Sequence, residues 1–270
     1  LHRFPDVVSI WVRRPMWREI HRPLLDLSDC FDAIIEPGEL AEEFDNGPTA
    51  PLRHTVYRVP PVLEVEPQDR YTGEVARLLL KLPDDLRIVA VQLGAGTNFD
   101  MQAIRGAIVE ELLLYPDVFV LDIRSPLAGD EVDHRSGEPR YRRTTLNQMF
   151  RYSNAFHAAV CAAGYNTFHE QILGAVPTLF VPNEAAHMDL QLQRARWAEL
   201  GHRALLLRRD LDAVRVRERI ARLLDRDERT RMIANCQAIE WRNGARDIAD
   251  FVEDHARMLR TDWDITRRED

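Results

Sequence analysis

A chain of 270 residues, 45% hydrophobic and 30% charged, is long enough for one large or two small soluble domains with a full core. Its net charge of −8 provides no global attraction to nucleic acid or to an anionic membrane. No apolar run reaches the ~20 residues that span a bilayer, and Cys30, Cys161 and Cys236, far apart and without a C-x-x-C pair, argue for a reducing, cytoplasmic setting and against a metal knuckle.

The chain opens without methionine and runs directly into a strand pattern at 7–12. This predicts a missing front segment of a longer protein, or a partner chain that completes it. A short helix at 23–27 follows, then strands at 33–35 and 55–59, with Pro37-Gly38 and Asn46-Gly47-Pro48 as punctuation. The proline-bearing segment 60–68 reads as a linker. From residue 70 the rhythm becomes regular: helix 71–82, strand 87–93, helix 100–114 capped by Asp100, strand 118–123, a turn-rich stretch at 129–138 and a short helix at 146–152. Strands at 158–161, 178–181 and 204–207 alternate with helices at 189–200 and 211–224. Short apolar strands alternating with helices predict an α/β fold, a parallel sheet covered on both faces. Residues 227–256 read as two helices broken near Asn243-Gly244. The expected domains are 1–64, 65–226 and 227–270.

The segment from Cys161 to Pro182 carries the chemistry. Gly164-Tyr165-Asn166-Thr167 is a glycine turn between a strand and a helix, and Gly174-Ala175-Val176-Pro177 stops that helix before the next strand. A helix start offers free N–H groups and the positive end of the helix dipole, which makes it an anion site. The plainer alternative is that Thr167 caps its own helix. Glu170, one turn in, is placed to accept hydrogen bonds from sugar hydroxyls, so the pair suggests a nucleotide. Leu93-Gly94-Ala95-Gly96 is a second glycine turn, expected on the same rim because open parallel sheets bind ligands at the carboxyl ends of their strands. It is not the dinucleotide fingerprint, since Phe99 stands where a third glycine belongs, which speaks against an NAD-dependent oxidoreductase. The loop Pro182 to Gln191 offers Asp189 and Gln191 as an acceptor and an amide for hydroxyls; otherwise Asp189 serves as a helix cap. His169-Glu170 is not a zinc-protease motif, because Leu173 holds the second histidine's place, and no G-x-S-x-G elbow is present. The run Arg140-Tyr141-Arg142-Arg143 reads as a solvated charge run, and Trp11 and Trp17 as core beside a strand.

Together these motifs resemble the donor half of a GT-B glycosyltransferase, nearest to the UDP-sugar transferases of the lipid II-forming N-acetylglucosaminyltransferase and glycolipid-synthase type. The match is good over 87–201 and loose elsewhere. The resemblance implies a partial acceptor-side Rossmann-like domain over 1–64, a donor-binding Rossmann-like domain over 65–226, and terminal helices that cross back. It implies that Gly164, Asn166 and Thr167, with Gly94 and Gly96, hold a diphosphate. Glu170 would take the ribose hydroxyls and Leu146 the uracil. His187, Asp189 and Gln191 would hold the donor sugar. The implied reaction moves a sugar from a UDP-sugar to a hydroxyl acceptor, with no metal and no cofactor beyond the nucleotide-sugar itself. The family's loop that often supplies the base would precede Leu1, so the resemblance names no catalytic residue. A non-catalytic nucleotide-sugar module, or the donor subunit of a two-chain transferase, stays open. A sugar-nucleotide epimerase fits less well, because the loop Asn183 to His187 lacks arginine.

Overall fold

The computed structural model describes residues 7–94, 101–124, 135, 137–208 and 212–266, with side chains through 255. Gly96, Phe99 and the Asp100 cap lie outside the described residues. The chain divides into two compact units, one of 1–63, 186–190 and 241–270, the other of 64–185 and 191–240.

In the first unit β1 (Ile10–Val12), β2 (Ala33–Pro37) and β3 (Tyr57–Val59) form a parallel sheet in the order β1-β2-β3. The predicted short helix at 23–27 is a longer 3-10 helix, Glu19–Cys30, which carries Pro23 inside it. Proline removes a backbone donor and disfavours regular α-helical hydrogen bonding around it. Buried charge gathers around the end of β2. Arg13, 1% exposed, donates to Glu36 at 3.1 Å. Arg53 pairs with Glu36 at 3.4 Å and with Asp45 at 2.6 Å. Burial pushes the Glu36 and Asp45 carboxyls above their ordinary values despite these arginines. Trp11 packs 5.7 Å from Trp17 and 5.2 Å from Phe31, centroid to centroid.

The second unit begins with α1 (Gly73–Leu80), β4 (Arg87–Gln92), α2 (Gln102–Leu113), β5 (Val118–Arg124) and β6 (Tyr141–Thr145). It continues through β7 (Ala158–Cys161), α3 (Tyr165–Leu173), β8 (Thr178–Phe180), α4 (Gln191–Leu200), β9 (Leu205–Leu206), α5 (Ala213–Leu224) and α6 (Arg226–Gln237). The sheet is parallel throughout, in the order β6-β5-β4-β7-β8-β9. The last helix, α7 (Ala245–Thr266), belongs to the first unit, where the Phe251 ring lies tilted against Tyr57 at 4.4 Å between centroids.

Period-two alternation explains why β4 reads as an unbroken apolar run. Val89 and Val91 join a cluster with Ile104 and Ile108 of α2 and Ile220 and Leu223 of α5. Ile88 and Ala90 point to the opposite face and are also 0% exposed. Both faces are therefore covered, as parallel sheets require. The chain leaves β4 toward β5 and β6 on one side and returns to β7, β8 and β9 on the other. The order reverses between β4 and β7, and the carboxyl ends of those two strands form the switch-point crevice of such sheets.

One sequence expectation needs correction. Arg140–Arg143 is not a solvated run, because Tyr141–Thr145 is edge strand β6. Arg140 donates to the carbonyls of Tyr115 (2.7 Å) and Leu113 (3.0 Å), Arg142 lies over the Phe119 ring, and Arg143 pairs with Asp122 at 3.5 Å. Their long apolar stems cover the sheet edge while the charged heads find acceptors, which a charge pattern alone does not reveal. Segment 60–68, read as a linker, contains the 63/64 division between the two units and packs closely. Leu63 and Val65 are buried, Glu64 between them is exposed, and Leu63 exchanges backbone hydrogen bonds with the Asn243 amide at 3.2 and 3.0 Å.

Candidate functional site

The site is built on the carboxyl ends of β4 and β7, which are paired up to Gln92 and Cys161. Just past β4, Gly94 adopts φ +80°, and among the described residues a Cβ there would meet nothing within 4 Å. Only glycine takes this backbone without strain. Ala162 donates its N–H to Gln92 O at 3.1 Å, tying the two strand exits together.

Gly164 is the N-cap of α3, with extended backbone (φ −65°, ψ 157°) and no side-chain cap. Thr167 therefore does not cap the helix. The Phe168 N–H reaches back to Gly164 O at 2.8 Å, and the amides of Asn166 and Thr167, ahead of it, take no hydrogen bond among the described residues. These are the donors that every helix start leaves over. The backbone of Gly164 would suit any residue, and among the described residues a Cβ there would touch only Gln191 Nε2, at 3.9 Å. Neither φ nor packing against the described residues requires a glycine here. Gly174 differs. A Cβ there would overlap the Phe150 ring, and the left-handed residue that ends the helix is Ala175 at φ 51°.

Glu170 follows Asn166 by four residues and Thr167 by three, so the three share one helix face. The carboxylate is half-buried and has no hydrogen bond or ion pair among the described residues. Burial, and then the charge of Glu64, push its pKa from 4.5 up to about 7. Burial, followed by the Glu170 charge, also pushes the Cys161 thiol far up, so it is no nucleophile. Leu146 is half-buried in the residues that follow β6. Nearby Gln148 holds a left-handed backbone (φ 53°), donates to Glu64 and accepts from Arg151 Nε at 3.2 Å. The sequence singled out neither Glu64 nor Gln148. Glu64 stood in the linker segment, and its alternation with Leu63 and Val65 was the available signal.

The three expected sugar-binding residues fall in different units. His187 and Asp189 belong to the first. His187 is exposed, and its carbonyl accepts from His21 Nε2 at 3.1 Å. Gln191 starts α4 in the second unit and is 2% exposed. Its Oε1 accepts the Asn183 N–H at 3.0 Å, which sets its Nε2 beside Gly164. The helix begins two residues after Asp189. Beside Gln191, fully buried Arg194 donates from Nη1 to Ala163 O at 3.3 Å and lies 5.7 Å from the Tyr165 ring.

At the carboxyl end of β5, Asp122 is 1% exposed and accepts from Arg105 and, at 2.9 Å, from the Tyr141 hydroxyl. Burial, then the Asp122 charge, push the Tyr141 pKa up to about 12. This cluster braces β5 and β6 and holds its charges against each other.

No protein-family model and no curated protein matches this sequence. Solved structures do. Os79 from O. sativa in complex with UDP matches at a TM-score of 0.61 and 13% identity, over 87% of this chain and 57% of that one. MurG of Acinetobacter baumannii matches at 0.57 and 13%, over 93% and 68%. The spinosyn rhamnosyltransferase SpnG, complexed with thymidine diphosphate, matches at 0.53 and 17%, over 76% and 52%. The chain thus spans about half the length of Os79 and SpnG. The fold is that of GT-B glycosyltransferases, as the motifs implied.

Proposed function

We propose that this chain binds a nucleoside-diphosphate sugar, most simply a UDP-sugar, and transfers its glycosyl group to a hydroxyl acceptor. One observation carries the reading. Among the described residues, a helix start at Gly164 with no side-chain cap shares a helix face with a half-buried carboxylate that has no hydrogen bond or ion pair, at the switch point of a parallel sheet. The amides of Gly164, Asn166 and Thr167 hold the diphosphate, with Gly94 at the exit of the neighbouring strand β4. Glu170 accepts from the ribose hydroxyls and Leu146 packs on the base. Gln191, in the same unit as these residues, contacts the sugar. Os79 with UDP and SpnG with thymidine diphosphate support a pyrimidine nucleotide.

In the transfer, the bond between the anomeric carbon and the diphosphate oxygen breaks as the acceptor oxygen bonds to that carbon and loses its proton. Negative charge grows on the leaving diphosphate. Preorganised amides and the helix dipole stabilise it there, with no metal in the scheme. They raise the rate only to the extent that they hold the departing diphosphate better than the bound donor.

A panel of UDP, TDP, GDP and NAD, read by thermal shift, tests this. One pyrimidine diphosphate should stabilise the protein by about 2.7 kcal/mol at a hundredfold excess over its Kd, and NAD should not. Equal silence from all four would end the nucleotide reading. A second reading, a donor-binding module that acts with a second polypeptide, is favoured by the chain's span of about half of Os79 and SpnG. Selective UDP binding without turnover of any UDP-sugar would select it.

A further inference from the structure

The diphosphate site proposed above has a second layer that its own residues do not explain. Helix α4 presents Gln191 and Arg194, three residues apart and so on one face, to the turn between β7 and α3. Gln191 reaches Gly164, and Arg194 reaches the residue before it. Arg194 is among the largest fully buried side chains of the protein, at 0% exposure. Sinking a guanidinium costs several kcal/mol of hydration, so a fold keeps one where its charge or its donors are used. Here Nη1 donates to Ala163 O at 3.3 Å.

That carbonyl and the Gly164 N–H belong to one planar peptide, and in a trans peptide they point in opposite directions. Holding the oxygen toward Arg194 therefore aims the Gly164 N–H away from it. On that side the N–H meets no acceptor among the described residues, and the first amides of α3 follow. A cation shielded from solvent is poorly screened, so its interactions with the turn and with the other groups it meets are stronger than they would be in water. Stacking beside Tyr165, the first residue of α3, fixes the guanidinium laterally.

We infer that Arg194 is a positioning residue for a nucleoside diphosphate: it orients the Gly164 peptide toward the anion and supplies positive charge from behind the turn. The inference rests on the nucleotide reading given above. It predicts that Arg194 matters to the phosphates and not to the nucleoside.

Isothermal titration of UDP and of uridine into wild type, Arg194→Lys, Arg194→Gln and Arg194→Met tests it. Lysine keeps the charge. Glutamine keeps a donor for Ala163 without charge, and methionine keeps only bulk. The preference for UDP over uridine should fall about tenfold or more in the Gln and Met variants, and lysine should hold it within about threefold of wild type. Should Met fail to fold, the Lys and Gln pair decides alone, because the preference is a ratio measured within each folded variant. A wild-type preference in the Gln variant, or a parallel loss of UDP and uridine, overturns the inference and leaves the nucleotide reading standing. Wild type that binds neither ligand overturns both.

Discussion

Replacing Glu170 with glutamine separates two effects that the structure places on one side chain. In the free protein the carboxyl is half-buried beside Glu64, with its pKa raised from 4.5 to about 7. A raised acid pKa means that the folded state binds protons more tightly than the unfolded state. This group's contribution is therefore fully present below pH 4.5 and is lost as pH rises to about 7. The shift converts, at about 1.4 kcal/mol per tenfold change in proton affinity, to at most about 3.5 kcal/mol. Partial exposure and solvent screening reduce that figure. Glu170→Gln removes the penalty. It should be more stable than wild type at pH 8, with the advantage shrinking to nothing at pH 4.5, as read by urea denaturation across that range. Binding should go the other way. Ribose hydroxyls donate to the ionised carboxylate, so wild-type affinity for UDP should climb with pH up to about 7 and then level off. At pH 8 the glutamine variant should bind UDP about 1.5–3 kcal/mol more weakly, the scale of hydrogen bonds to a charged group, and its affinity for uridine, which has no phosphate to titrate, should not vary with pH. UDP affinity that is unchanged in the variant, or a pH dependence of uridine binding that survives it, would refute the ribose role.

The two glycines that flank α3 should respond differently. Gly164→Ala has room and an ordinary φ, so its melting temperature should stay within a few degrees of wild type while UDP affinity drops about tenfold from steric exclusion of the phosphate. Gly174→Ala forces a methyl group into the Phe150 ring and should cost about 1–3 kcal/mol in denaturant unfolding, as overpacking does. Asp122→Ala leaves Arg105 buried without its carboxylate and should destabilise by about 3–5 kcal/mol. The Asp122 charge also helps hold the Tyr141 pKa near 12, so ultraviolet titration of an Asp122→Asn variant should show that tyrosine ionising at lower pH.

Local chemistry wrote much of this protein directly into its sequence. Strands such as Arg87–Gln92 are runs of apolar residues because both sheet faces are buried. The exit of β7 carries Gly164 and a helix-compatible sequence whether or not the rest of the chain is known. Glu170 lies at a fixed offset from that turn, because helix geometry alone puts it on the face of Asn166 and Thr167. Tertiary structure decided what depends on residues distant in sequence. Thr167 is not a cap because Gly164 occupies the cap position. The Gly174 position is set by Phe150, and Glu64 comes to act on Glu170 across more than a hundred residues. The arginines of β6 look like a solvated run until Asp122 and the carbonyls of Leu113 and Tyr115 come to meet them. Arg194 carries no motif at all. Its meaning comes from α4 packing behind the turn that follows β7, and a buried cation gains its role from what the fold brings to it.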